Sequence, residues 1–163
     1  MILQKRIIFI LALIASSCYA DDVSPSVVKF IQELPSHVLT KCNLTTLKCG
    51  IDKLKVIKQD SYERYDVKET YKHVAGKGIE IEFFIRENEP YFISTVTVTN
   101  RNFPMPLGLV VGESKQKVES LLGTFPNQVG ECITYADKIL SNVTFCFGAT
   151  ERITKIYWLT YVD

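Results

Sequence analysis

A serine in a glycine-led turn is the first residue of this chain to test for chemistry. Ser114 stands in "PLGLVVGESKQKVESLLGTFP", residues 106–126. A nucleophile elbow needs Gly-x-Ser-x-Gly, and Gly112-Glu113-Ser114-Lys115-Gln116 lacks the second glycine. A phosphate loop needs Gly-x-x-x-x-Gly-Lys-Ser/Thr. The run from Gly108 to Lys115 instead puts acidic Glu113 where phosphate would sit. Neither His37 nor His73 stands in a recognisable relation to Ser114, so no proton acceptor is implied. A hydrolase would need one of these histidines, a carboxylate and Ser114 gathered in one pocket. Glu80 and Glu82 resemble a carboxylate pair, but alternation with Ile79, Ile81 and Phe83 explains them as the solvated face of a strand. There is no Cys-x-x-Cys, and the histidines have no ligand-like spacing to any cysteine. The expectation is a protein with no catalytic residues, no cofactor and no metal.

A structural corner accounts for the whole stretch. Leu109 to Val111 is an extended lead-in, and Gly112 permits a sharp turn. Ser114 caps a helix by accepting a backbone N–H bond. Val118, Leu121 and Leu122 form its apolar face, Gly123 is the C-terminal cap, and Pro126 stops it.

The elements around this corner follow from periodicity. Ser24-Pro25 opens a helix whose apolar face is Val27, Val28, Ile31 and Leu34, and Pro35 is expected to end it. Residues 36–60 read as either a second helix or a strand. From Tyr62 the period becomes two. "IEIEFFIRENEPYFISTVTV" and "SNVTFCFGATERITKIYW" both read as hairpins. They overlay with Phe83 on Phe145, Ile93 on Ile153 and Val96 on Ile156 when the first turn is given two extra residues. Either a duplicated helix-plus-hairpin unit or chance likeness of amphipathic hairpins explains this. The fold class is α+β, with short helices packed on an antiparallel β-sheet.

The chain opens "MILQKRIIFILALIASSCYADD", with Lys5 and Arg6 before an apolar run and small residues after it. This reads as a bacterial secretory signal peptide over residues 1–20, followed by one domain over residues 21–163. The apolar run is too short for a membrane span of about 20 residues. Cleavage after Ala20 gives a soluble form. The alternative is a lipobox at residues 15–18 with Cys18 lipidated, which would anchor the protein to the outer membrane. Of five cysteines, either processing leaves four: Cys42, Cys49, Cys132 and Cys146. An even number in an exported chain implies disulfides, with three possible connectivities. Local pairs, Cys42–Cys49 and Cys132–Cys146, are the simplest. Without Lys5 and Arg6, 17 of the 19 basic residues remain against 18 acidic ones. A net charge of −1 offers no excess for neutralising phosphates, so nucleic acid is not an expected partner.

The corner, with "ITY", "VTFCF" and "RITKIYW" after it, resembles the exported module of BamE-like outer-membrane assembly lipoproteins and of β-lactamase inhibitor proteins. The matching positions include Gly108, Gly112, Ser114, Leu121, Leu122, Gly123, Tyr135, Phe145, Phe147, Ile156 and Trp158. The resemblance covers about residues 106–161 and departs at "GTFP", which is one residue longer than the usual Gly-x-Pro. It implies a small α+β module that binds other proteins, and it transfers no contact residues. The expected function is a non-enzymatic, periplasmic protein-binding or adaptor module with an unidentified protein partner. An inhibitor or immunity protein against a secreted or periplasmic enzyme is the alternative. Tyr62, Tyr65, Tyr71, Tyr91, Phe92, Tyr157 and Tyr161 make the β region rich in aromatic residues. Most are expected to be core residues or cross-strand partners, and any left exposed on one face would be anchors for a partner.

Overall fold

The computed structural model describes residues 23–160 except 51, 65, 88, 125, 126, 138 and 139. The expected signal peptide, Cys18, Tyr65, Pro126 and Tyr161 lie outside the described residues. Helix α1 (Pro25–Lys41) leads into three two-residue strands, β1 (Cys42–Asn43), β2 (Lys48–Cys49) and β3 (Asp52–Lys53). Four longer strands follow: β4 (Lys55–Arg64), β5 (Val67–Gly76), β6 (Ile79–Arg86) and β7 (Phe92–Val98). A short 3₁₀ turn (Pro106–Gly108) leads to helix α2 (Lys115–Leu122). The chain then runs through β8 (Asn127–Val129), β9 (Cys132–Ala136), β10 (Ser141–Phe147) and β11 (Ile153–Thr160). Among the described residues, eight strands form one sheet in the order β4-β5-β6-β7-β11-β10-β9-β8. Every pairing in it is antiparallel. The α+β class therefore holds.

Residues 24–41 correct one expectation. Pro35 lies inside α1 and does not end it. Proline has no N–H to donate to the carbonyl of Ile31, four residues back. Burial of Val27, Phe30, Ile31, Leu34 and Val38 on one face offsets that loss, because Val38 continues the apolar stripe past the proline. Ser24 marks the start, but its side chain makes no capping bond. Its carbonyl instead accepts from Val27 and Val28. The stretch left open between helix and strand is divided: residues 36–41 complete α1, and the rest forms the small hairpins and most of β4.

The strands repeat in two meanders, β4–β7 and β8–β11, that meet last strand to last strand. Val96 lies opposite Trp158, and Val98 lies opposite Ile156. With Val96 equivalent to Ile156 and Val98 to Trp158, exchanging the two units leaves the pairing unchanged. A local two-fold axis thus passes through the Thr97–Tyr157 pair. Each meander has a bulge at the equivalent place, between Glu82 and Phe83 in one and between Cys146 and Phe147 in the other. The hydroxyl at each bulge makes the same bond. Ser94 Oγ donates to the Glu82 carbonyl at 3.2 Å, and Thr154 Oγ1 donates to the Cys146 carbonyl at 3.1 Å. In chain order each meander follows a helix, α1 ahead of β4–β7 and α2 ahead of β8–β11.

The repeat corrects half of the sequence overlay. Ile93 matches Ile153 and Val96 matches Ile156, as expected. Phe83, however, pairs with Ile93 as Phe147 pairs with Ile153, so Phe83 is equivalent to Phe147, and Phe145 to Ile81. Positions 83 and 93 are ten apart and 147 and 153 only six, so the first turn is longer by four residues. A slip of two keeps every side chain on its own face, so alternation alone does not detect it.

Buried residues alternate along β6, β7, β10 and β11, and they share one cluster with the buried faces of both helices. Helix α1 crosses to the second meander. Phe30 stacks against Phe145 of β10 with ring centroids 5.8 Å apart. Among the described residues no helix is long and apolar enough to cross a membrane.

Candidate functional site: the open sheet face

The corner holding Ser114 is structural in every contact. Gly112 has φ +102°, a conformation strained for any other residue. A side chain there would also meet Arg101, whose Nε lies 3.4 Å from the Cβ position. Ser114 Oγ accepts from the Lys117 N–H at 3.2 Å and so caps α2. Gly123, at φ +92°, closes the helix, and its N–H bonds the Glu119 carbonyl. Tyr135 Oη donates to the Gly123 carbonyl at 2.8 Å and fixes the exit. Gly112 N–H bonds the Ile153 carbonyl, and Ile153 N–H bonds that of Glu113, so the corner is stitched to β11. Val118 and Leu122 are buried, as the helix face requires.

The two histidines are separated from Ser114 by their own contacts. His37 Nε2 lies 2.7 Å from the Pro104 carbonyl, and its ring meets Phe103 edge-on. His73 lies between two carboxylates. Nε2 is 3.5 Å from Glu80 Oε2, and Nδ1 is 4.0 Å from Glu82 Oε1. The Glu80–Glu82 pair is thus brought to a histidine on the face of the sheet opposite the helices. Among the described residues no three His, Cys, Asp or Glu side chains are arranged to hold a metal ion.

Cys42 is bonded to Cys49, and Cys132 to Cys146. Both are cross-strand neighbours, in β1–β2 and β9–β10, which is the local pairing expected. The second bond lies on the uncovered face of the sheet and ties together two strands of the second meander.

That uncovered face is the feature of the molecule best suited to recognition. No described element packs over it. Tyr71, Phe84 and Phe92 line up across β5, β6 and β7. The Tyr71 and Phe84 rings meet edge to face at 5.2 Å, while Phe92 is 45% exposed. Beside them run His73, Glu82, Thr95 and Leu159, and then Glu80, Thr97, Tyr157 and Thr144. Lys155 Nζ sits 5.7 Å from the Tyr157 ring centre. Partial burial pushes the Tyr71 phenol well above its ordinary value, aided by a hydrogen bond to Glu82. Tyr71 therefore stays a neutral donor that fixes Glu82. Lys58 and Asp60 pair at 2.7 Å, and this bond holds the ammonium above its ordinary value. At one end Arg86 Nε donates to buried Glu69 Oε1 at 2.7 Å. The face carries aromatic area ringed by prearranged polar groups, the composition of a protein-recognition surface.

The sequence pattern places most of these aromatic residues in the core or in cross-strand pairs and does not say which remain exposed. Trp158 is buried, at 2% exposure, and lines a cavity with Ile31, Gln32 and Pro35 of α1. The crossing of α1 onto the second meander puts it there. The Glu69–Arg86 pair was missed, because nothing in an exposed-looking strand marks which carboxylate will be covered.

Compared with family models, with curated proteins and with solved structures, the chain matches none.

Proposed function

We propose that this protein is an exported, non-enzymatic protein-binding or adaptor module of the bacterial cell envelope, and that the open sheet face is its binding surface. The observation that carries the proposal is the uncovered face itself, with the Tyr71–Phe84–Phe92 row and Tyr157 held in fixed positions by cross-strand neighbours. Two disulfides suit an oxidising compartment, which supports export. The resemblance to BamE-like modules supports an envelope role. The test is affinity capture from a bacterial envelope extract with the wild-type protein and with a Tyr71→Ala, Phe92→Ala, Tyr157→Ala variant. Recovery of one dominant protein by the wild type and its loss with the variant is the expected result. Equal recovery by both would move the interface elsewhere, and no specific recovery would end the proposal.

The stapled, hairpin-rich build also favours the second reading, an inhibitor or immunity protein. A rigid surface loses little entropy on binding an enzyme. Survival of cells expressing the protein when challenged with the product of a neighbouring toxin gene distinguishes this reading from the first.

A further inference from the structure

Away from the sheet face, a cleft of about 690 Å³ opens where the end of α1, the small hairpins and the loop after β7 meet. Its size is that of a ligand site. Its charged lining residues are Lys41, Asp52, Lys77 and Arg101. Asp52 is bonded to Lys77 at 2.7 Å, and among the described residues no carboxylate pairs with Lys41 or Arg101. The cleft therefore has a net charge of +2 in a chain whose formal charge is only +1.

Beyond the lining itself, the small hairpins next to the cleft carry charge of the same sign. Lys48 and Lys53 lie directly opposite each other in the β2–β3 pair, and both are exposed. Like charges across a strand pair repel, and no described carboxylate relieves them. Lys55 follows at the start of β4, also exposed and unpaired among the described residues. Lys41 has a structural role as well, since it meets the negative end of α1. Lys48, Lys53 and Arg101 have no such role. Arg101 lines the cleft and lies in ordinary contact with the Gly112 corner, its Nε 3.4 Å from where a Cβ would stand. A concave site lined by one sign of charge concentrates counter-ions of the other sign.

We propose that this cleft binds a multiply charged anion bearing phosphate or sulfate groups, with Arg101 and Lys41 as its direct contacts and Lys48 and Lys53 drawing it in. Guanidinium and ammonium donors suit such oxygens through charge-assisted hydrogen bonds. The ligand group comes either from a soluble compound or from the headgroup of an anionic lipid.

The test titrates pyrophosphate into the intact exported protein and follows backbone amide resonances. Saturable shifts at Gly50, Gly78 and Asn100, which line the cleft, are expected. Raising salt from about 20 to 200 mM should weaken them strongly, since the groups are solvent-facing. The pair Lys41→Gln and Arg101→Gln should lower affinity at least about tenfold, a loss of about 1.4 kcal/mol. Lys48→Gln with Lys53→Gln should reduce mainly the salt dependence. Lys29→Gln, on the exposed side of α1, should change nothing. Vesicles of phosphatidylcholine with phosphatidylglycerol form the second arm. Binding to vesicles but not to pyrophosphate assigns the lipid headgroup, and the reverse assigns a soluble anion. No saturable response in either arm overturns the proposal, as does undiminished binding by the Lys41, Arg101 double variant.

Discussion

Replacing Trp158 in two different ways separates its volume from its polarity. The indole is 2% exposed, and among the described residues its Nε1–H has no acceptor. Leaving a buried donor unpaired costs about 1–3 kcal/mol. Trp158→Phe keeps most of the ring and removes that donor. The lost apolar atoms and the void they leave cost about 2–3 kcal/mol. The two terms nearly cancel, so the expected net effect lies between a gain of about 1 kcal/mol and a loss of about 2 kcal/mol. Trp158→Ala empties the site beside a cavity that already measures about 220 Å³. It should cost about 3–5 kcal/mol. Urea unfolding followed by far-ultraviolet circular dichroism reads both variants without depending on the lost fluorophore. At a slope of about 1–3 kcal/mol per molar urea, the two midpoints should differ by roughly 1–3 M. Equal losses for Phe and Ala would refute the reasoning, because they would show that the N–H is satisfied and that its removal relieves nothing.

Ser114→Ala should lower stability by about 1 kcal/mol through loss of the α2 cap. Gly112→Ala should lower it further, because φ is +102°, where any side chain is strained; thermal melts of both variants check this. Pro35→Ala should raise stability, by up to about 3 kcal/mol, by restoring a donor for the Ile31 carbonyl and removing the ring clash. A lower melting temperature for that variant would mean that the proline ring is a packing element. The Tyr135 phenol is pushed up by burial, with Glu119 adding to the effect. The folded state therefore holds this proton more tightly than the unfolded chain, whose tyrosines titrate near pH 10. Stability from Tyr135 is complete below about pH 10 and is lost above it, by up to about 1.4 kcal/mol per pH unit. In Tyr135→Phe this contribution to the alkaline fall should be absent, as pH-dependent denaturant midpoints will show.

Much of the fold was legible because local physics specifies it. Alternation at Ile79, Ile81 and Phe83 and at Val143, Phe145 and Phe147 fixed which side chains face the core. Gly112, Ser114 and Gly123 marked the second helix, since turn and cap chemistry acts within a few residues. The four cysteines of the domain sit close enough in the chain that their local pairing was the simplest reading, and the cross-strand registers make it so. The lysines of "KCNLTTLKCGIDKLK", residues 41–55, were also in view as a charge run with one acid, a signal that could have pointed to the cleft.

Other features depended on contacts far apart in sequence. Pro35 reads as a stop until Val38 is seen to be buried with the rest of α1. The two-residue slip between the hairpins is silent in a period-two pattern, and only the matching bulges at Glu82 and Cys146 fix the register. Trp158 could be assigned to the core from its strand, but the element above it was decided when α1 crossed onto the other meander. The open face and the basic cleft are likewise properties of assembly. Each strand carries only one or two of their residues, and the β7–β11 pairing and the loops at its end bring them together. Sequence pattern determined which side of each strand is apolar, because that is set by the pleat. Tertiary structure decided which polar sides adjoin and remain uncovered, because that depends on which strands pair and where the helices lie.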